Sequence, residues 1–405
     1  MIELILYFVL YISIIFLAWT FIGFPVFLVV FSPLLKKHHF LNQAFFPKVT
    51  MVIMSYNEEK TIAKKIENSL EIDYPKDKLE IFVVDSASTD KTQSIVNKVI
   101  KEFYKKNPKD KRILKLIAQP KREGKASGIN YGKERASGEI IIITDGNAMM
   151  NKMAIKNIVR HFDDPKVGGV CGRFEARDLH GTSTGEGGSI YWRIERMLRS
   201  GESNLDSCIH MSGEVTAFRA SVVKEVDTTQ LSEDFDMAVS IRKKGFRIIY
   251  EPYAIAYEPA PTNIEDLKTQ KKRIVIGTLQ VLFKHKNMLF NPKYGWYGVI
   301  TLTSHKLFQL LTPFALLFVF ASSIGLFFLN YSWWVHFLIV LEISAIILTI
   351  LSLILTLNRF FTHNKILNFI KYFTASNWIV ILGWFDFLRG KKIVTWKKIE
   401  SSRDI

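Results

Sequence analysis

Residues 4–35 contain no charged side chain. Roughly 20 apolar residues carry a helix across a hydrocarbon core, so this run exceeds what one membrane helix needs, and Pro25 marks where it can tilt or extend. A cleaved leader is the rival reading. The start Met1-Ile2-Glu3 lacks a basic region, and the run is far longer than the roughly 7–15 apolar residues of a leader. We therefore expect the segment to be retained.

The rest of the chain shows the same segregation. Of 405 residues, 48% are hydrophobic, yet 54 are basic and 38 acidic. A charge-free run covers 307–335, a second covers 337–357 with Glu342 as its one interruption, and a third covers 372–385. The first two read as a hairpin of membrane helices turning at Asn330-Tyr331-Ser332-Trp333-Trp334, whose aromatics suit an interfacial belt. The third is short enough to lie in the headgroup region and long enough to span thinly, and the sequence leaves both open. Lys36, Lys37, Lys284, Lys286, Lys293, Lys306, Arg359 and Lys365 flank the helices. By the positive-inside rule they place the middle segment in the cytoplasm, which predicts a multi-pass protein of the cell (plasma) membrane. The tail from Arg389 to Lys398 shares that side only if the third run does not cross.

The expected division is a membrane helix at 1–35, a soluble domain at 46–280, an amphipathic interfacial segment at 281–306, membrane helices at 307–388 and a basic cytoplasmic tail at 389–405. The formal charge of +16 suits contact with anionic membrane lipids. Nucleic acid is not the expected partner, because the charge lies beside the apolar segments and no nucleic-acid-binding module is present. Cys171 and Cys208 have no metal-ligand spacing and are compatible with a reducing compartment.

Within 46–280, short β-rich runs cover 48–54, 79–84, 113–118 and 139–144, with helical patterns between them. Such alternation predicts a parallel, doubly wound α/β sheet, in which ligands bind beyond the carboxyl ends of the strands. Asn57, Asp85 and Asp145 all fall at such ends. Asp85-Ser86-Ala87-Ser88-Thr89-Asp90 offers acceptors and hydroxyls suited to a nucleoside, though alone it reads as helix capping. Arg122-Glu123-Gly124-Lys125 enters a helix and can present Lys125 and backbone amides to a diphosphate, though alone it is a solvated basic loop. Asp145-Gly146-Asn147 sets a hard carboxylate two residues from an amide oxygen, suited to a divalent cation, though alone it marks a turn. Glu233-Asp234 opens a helical pattern, where one carboxylate can act as general base or simply complement the helix dipole. Each bland reading wins in isolation; the ordered set shifts the balance.

Together with Gln270-Lys271-Lys272-Arg273-Ile274, this set resembles the processive family 2 glycosyltransferases, the group containing cellulose, chitin, hyaluronan and poly-N-acetylglucosamine synthases. The likeness runs from the first membrane helix to Val394-Thr395-Trp396. It implies an α/β GT-A domain joined to α-helical transmembrane segments, a nucleotide-sugar donor, usually a UDP-sugar, Mg2+ or Mn2+, and inverting transfer. By motif, Asn57, Glu58 and Asp85 would line the nucleotide pocket, Lys125 would face the diphosphate, and Gln270 and Arg273 its pyrophosphate. Asp145, assisted by Asn147, would hold the metal, and Asp234 would be the base with Glu233 beside it. Gly213, in Ser212-Gly213-Glu214, and Ile274 fall where the family shapes its acceptor site. Two departures stand out: Asn147 replaces a second metal-binding carboxylate, and Ile274 replaces the Trp that stacks on the acceptor sugar, a contact of about 1 kcal/mol beyond burial.

Extension of a polysaccharide is the leading expectation, with Glu342 a candidate pathway residue. Single addition to a lipid-linked or glycolipid acceptor is the second, favoured by Ile274. A non-catalytic membrane scaffold retaining the fold is the third. Residues 181–188, rich in glycine, are expected to form a mobile loop near the cleft.

Overall fold

A computed structural model describes residues 1–177, 183–259, 264–329, 332–355 and 364–390. The expected strands form β1 (Val49–Ser55), β2 (Leu79–Asp85), β3 (Ile113–Ala118) and β4 (Ile140–Asp145), all parallel. Every residue of β1 and β2 is buried because helices cover both faces, whereas the edge strand β3 alternates in burial. The sheet does not stop there. β5 (Met149–Met150), β6 (Val167–Arg177), β7 (Thr216–Arg219) and β8 (Arg247–Pro259) extend it to the order β3-β2-β1-β4-β7-β6-β8-β5. β7 runs antiparallel to both β4 and β6, so the wholly parallel sheet expected from the alternation is corrected to a mixed one. The local pattern of four residues in β7 says nothing about their direction, which the long excursion through α7 decides.

The helices are α1 (Ile2–Ala18), α2 (Phe24–Leu34), α3 (Ile62–Leu70), α4 (Thr92–Lys106), α5 (Lys125–Lys133), α6 (Ala154–Val159), α7 (Ser183–Leu205), α8 (Glu233–Lys243), α9 (Ile264–Lys284), α10 (Phe308–Leu329), α11 (Trp333–Leu355) and α12 (Lys365–Leu388). Residues 183–188 therefore belong to α7 rather than to the loop expected at 181–188; residues 181 and 182 lie outside the described residues, as do Asn330, Tyr331, Arg359 and the tail 391–405.

Four helical stretches are long and apolar enough to cross a membrane: Ile2–Leu34, Tyr297–Leu329, Trp333–Ile354 and Ile366–Leu388. The first joins α1 to α2 through a π-helical turn at Trp19–Gly23, and the second begins with a π-helix at Tyr297–Leu307. The segment 281–306 divides between elements. Its start completes α9, and from Tyr297 onward it is the base of the second long helix. α12, left open between spanning and interfacial, packs both on α10, where Trp384 Nε1 donates to Leu310 O at 3.0 Å, and on α9. Lys271 Nζ on α9 donates to Ser376 Oγ at 2.6 Å, Lys272 Nζ pairs with Asp386 at 2.5 Å, and the Phe283 ring meets Trp384 and Phe387.

Candidate active site

Parallel pairing brings the site to one edge of the sheet: Ser55 lies opposite Asp85, and Met54 opposite Asp145. Just beyond β1, Asn57 takes a left-handed backbone at φ 53°, a conformation Asn tolerates better than most residues. Its Oδ1 accepts from Thr89 N at 2.8 Å and its own N–H donates to Ser88 Oγ at 2.8 Å, tying the end of β1 to the loop after β2. Asp85 is fully buried. Its carboxylate accepts from Ser88 N, Ser88 Oγ and Gln93 Nε2, so it shapes this loop from within. Glu58, also buried, accepts from Thr61 Oγ1 at 2.9 Å. The Arg122 guanidinium lies 3.8 Å over the Tyr56 ring and draws the basic loop across the end of β1. Tyr56 carries no motif and was not a candidate from sequence.

Asp145-Gly146-Asn147 is held by a residue the motifs do not mark. Lys65 on α3 is fully buried, and its Nζ donates to Thr144 Oγ1 at 2.8 Å and to Ala148 O, the residues on either side of the turn. Burial lowers its pKa to about 7 against the pull of Asp145 and Glu258. The sequence signal was present: Lys65 sits in helical register with Ile62, Ile66 and Ser69 on the buried face of α3.

Lys125 opens α5 behind Gly124, whose φ of 90° and ψ of 174° suit only glycine. Its Nζ lies 2.5 Å from Asp145 Oδ1 and 3.9 Å from Glu233 Oε1, and it donates to Gly213 O at 3.4 Å. One ammonium thus joins the turn after β4, the start of α8 and the loop before β7. Burial works against its charge, but Asp145, Glu233 and Glu214 outweigh it and hold the lysine above its usual value. Gly213 has to be small here, since a Cβ would stand 2.6 Å from Lys125 Nζ.

At the N-terminus of α8 the two adjacent carboxyls diverge. Burial and the charge of Asp234 push Glu233 up to about 7. Asp234 feels burial too, but His210 and Lys125 override it and hold the carboxyl well below its usual range. His210 Nε2 lies 3.2 Å from Asp234 Oδ2, and Oδ1 accepts from Phe235 N at 2.7 Å. Its other ring nitrogen, Nδ1, is buried with no hydrogen bond among the described residues. Nothing in the sequence singled out His210. Burial and Asp145 likewise push Glu214 up to about 7.

Arg273 on α9 acts on Glu233 through its charge, which places it at the same centre. Gln270 makes no hydrogen bond or ion pair to the other candidates among the described residues. Ile274 is 48% exposed, an open apolar surface beside the cluster. For a divalent cation, Asp145 offers its carboxylate, paired here with Lys125, and Asn147 is buried two residues on. Among the described residues no group of three or more His, Cys, Asp or Glu is placed to hold a metal. One carboxylate and one amide fit a hard cation that completes its shell with substrate oxygens and water.

The chain matches a known family in sequence. Residues 50–227 match Glycosyl transferase family 2, and residues 140–382, more than half of the chain, match Glycosyl transferase family group 2. The chain belongs to glycosyl transferase family 2. This glycosyltransferase has the GT-A fold, and it is similar to the probable glycosyltransferase YdaM of Bacillus subtilis (strain 168), 27% identical over 385 residues, 89% of this chain and 88% of the relative. The poly-beta-1,6-N-acetyl-D-glucosamine synthase of Staphylococcus aureus (strain COL) is 27% identical over 259 residues, which cover 62% of this chain and 59% of the synthase. Among solved structures, a mannosyltransferase from Pyrobaculum calidifontis in complex with GDP-Man and Mn2+ matches with a TM-score of 0.70 and 25% identity, over 95% of this chain and 99% of that one.

Proposed function

We propose that this family 2 glycosyltransferase works at the membrane and transfers a sugar, with inversion, from a nucleotide diphosphate to a growing polysaccharide. The observation that carries the reading is the pair Glu233 and Asp234, neighbours in sequence whose surroundings push their pKa values apart. Asp234 is ionised at neutral pH and able to accept the proton of an acceptor hydroxyl. As that oxygen bonds to the anomeric carbon, the bond from that carbon to the diphosphate breaks. The Lys125 ammonium and the amides opening α5 face the charge that then gathers on the leaving diphosphate. Asp145 and Asn147 would hold a divalent cation, Mg2+ or Mn2+, whose charge offsets that of the diphosphate. The nucleoside pocket is assigned to Asn57, Glu58 and Asp85, and the acceptor side to Gly213 and Ile274.

We place the soluble domain on the cytoplasmic side, with Ile2–Leu34, Tyr297–Leu329 and Trp333–Ile354 crossing the bilayer and α12 lying along the domain. The ties from Lys271 and Lys272 to Ser376 and Asp386 support this placement, and it puts the basic residues at both ends of α12 on one side.

A second reading, single addition to a lipid-linked acceptor, is favoured by the half-exposed Ile274, which offers no ring for a sugar to stack on. Product size from the protein in nanodiscs, supplied with Mn2+ and labelled UDP- and GDP-sugars, separates the two. A ladder of long products supports the polymer; a single-sugar lipid product replaces it with the second reading. An Asp234→Asn variant that transfers as fast as the wild type removes the assignment of the base.

A further inference from the structure

The two π-helical segments meet. Trp19 Nε1, at the start of the first, donates to Ser304 Oγ in the second at 2.9 Å, and the Phe24 ring lies 6.2 Å from that of His305. α7 is docked against this joint by two independent contacts. One is apolar: Leu198 and Leu205 pack with Phe24 and Leu28, and Gly201 lets α2 approach so closely that a Cβ there would lie 2.9 Å from Leu28 Cβ. The other is polar and has no exposure to water. His305 sets one ring nitrogen 2.5 Å from Glu202 Oε1 and the other 3.0 Å from Glu195 Oε2.

From α7 the contacts continue to the site. Arg199 Nε donates to Glu195 Oε1 at 2.9 Å, and its Nη1 donates to Ser212 Oγ at 2.5 Å. Ser212 precedes Gly213, whose carbonyl receives Lys125, and Glu214, whose charge acts on Lys125. Glu202 Oε2 also accepts from Ile209 N at 3.2 Å, so the same helix holds both ends of the loop that carries His210.

Buried charges in this number are costly to desolvate, and an apolar interior of similar volume would be at least as stable. A persistent π-helix is rarer still and concentrates at functional positions. Both features fall on the line that joins the membrane helices to the transfer site. We infer that His305, through Glu195, Arg199 and Ser212, is a positioning residue for the loop 207–215, so that the acceptor side of the transfer site is set in place by the docked membrane helices. The nucleoside pocket, built on β1, β2 and the loop after β2, has no part in this chain of contacts, which ends at Gly213 O and Lys125. The inference rests on the proposed assignment of Gly213 to the acceptor side, and not on the polymer or on the role of Asp234.

Hydrogen–deuterium exchange on the full-length protein in nanodiscs tests it, with His305→Gln and, as a milder cut at the far end, Ser212→Ala. Loss of one charge-assisted hydrogen bond should speed exchange in 207–215 by about tenfold in either variant. Exchange in 49–58 and 79–88 should stay at the wild-type rate. In Ser212→Ala, residues 297–307 should also be unmoved, which separates a broken link from a disturbed membrane helix. Equal acceleration throughout the domain, or no acceleration in 207–215, would overturn the proposal.

Discussion

Lys65→Met tests how the turn carrying Asp145 is held. The folded protein lowers the lysine from its unfolded value of about 10.4 to about 7. A base whose folded pKa lies below the unfolded one binds its proton more weakly in the fold, so between these values the unfolded chain holds more protons and stability rises with pH. Below about pH 7 the penalty is complete, and at about 1.4 kcal/mol per unit it comes to about 5 kcal/mol. Methionine fits the same buried volume and removes that penalty, but leaves Thr144 Oγ1 and Ala148 O without their donor, at about 1–3 kcal/mol for each buried group. The variant is therefore expected to match or exceed the wild type in stability near pH 7. It loses that advantage by about 3 kcal/mol towards about pH 9.5, where the wild-type lysine has shed its proton. Transfer should nonetheless fall by about 10–100-fold, because the turn has lost both tethers and a displacement near 1 Å is enough for such a loss. Thermal denaturation in detergent across this pH range, alongside transfer assays, reads both effects. A stability curve parallel to that of the wild type, or undiminished transfer, refutes the reasoning.

Three further outcomes follow from the same centre. His210→Gln removes the imidazole that offsets the burial of Asp234, so the carboxyl should rise by about 1–3 pH units and the acid limb of kcat/KM should move to higher pH with it; an unmoved limb contradicts the contact. Gly213→Ala puts a methyl 2.6 Å from Lys125 Nζ and should displace it from Asp145, lowering transfer while leaving the melting temperature nearly unchanged. Asn147→Asp supplies a second carboxylate to the cation and should lower the Mn2+ concentration giving half-maximal activity; an unchanged metal titration places Asn147 outside the metal shell.

The first four strands and the acidic residues at their ends were legible because a buried parallel strand is a short apolar run with a polar break, and such breaks are local. The long apolar helices were legible for the same reason, since a charge-free stretch of that length is enough for a helix that could cross a bilayer. What is not local was misread or missed. β7, four residues long, reversed the sheet's direction through pairings with β4 and β6 that lie far apart in sequence. The boundary at 306 was set at a composition change, although one long helix, Tyr297–Leu329, runs across it. Lys65 and His210 belong to no motif, and their roles exist only because α3 passes behind β4 and the loop after α7 passes over Asp234.

The sequence by itself determined the kinds of surface this chain must make: apolar helices for a bilayer, a covered sheet, and carboxylates and a lysine where strands end, because these follow from side-chain type and short-range periodicity. Only the tertiary structure decided which of those groups share one ammonium at Lys125, why the pKa values of neighbouring Glu233 and Asp234 shift in opposite directions, and how His305 on a long apolar helix meets Glu195 and Glu202. Charges act through distance and desolvation, and both are set by the packing of segments far apart in the chain.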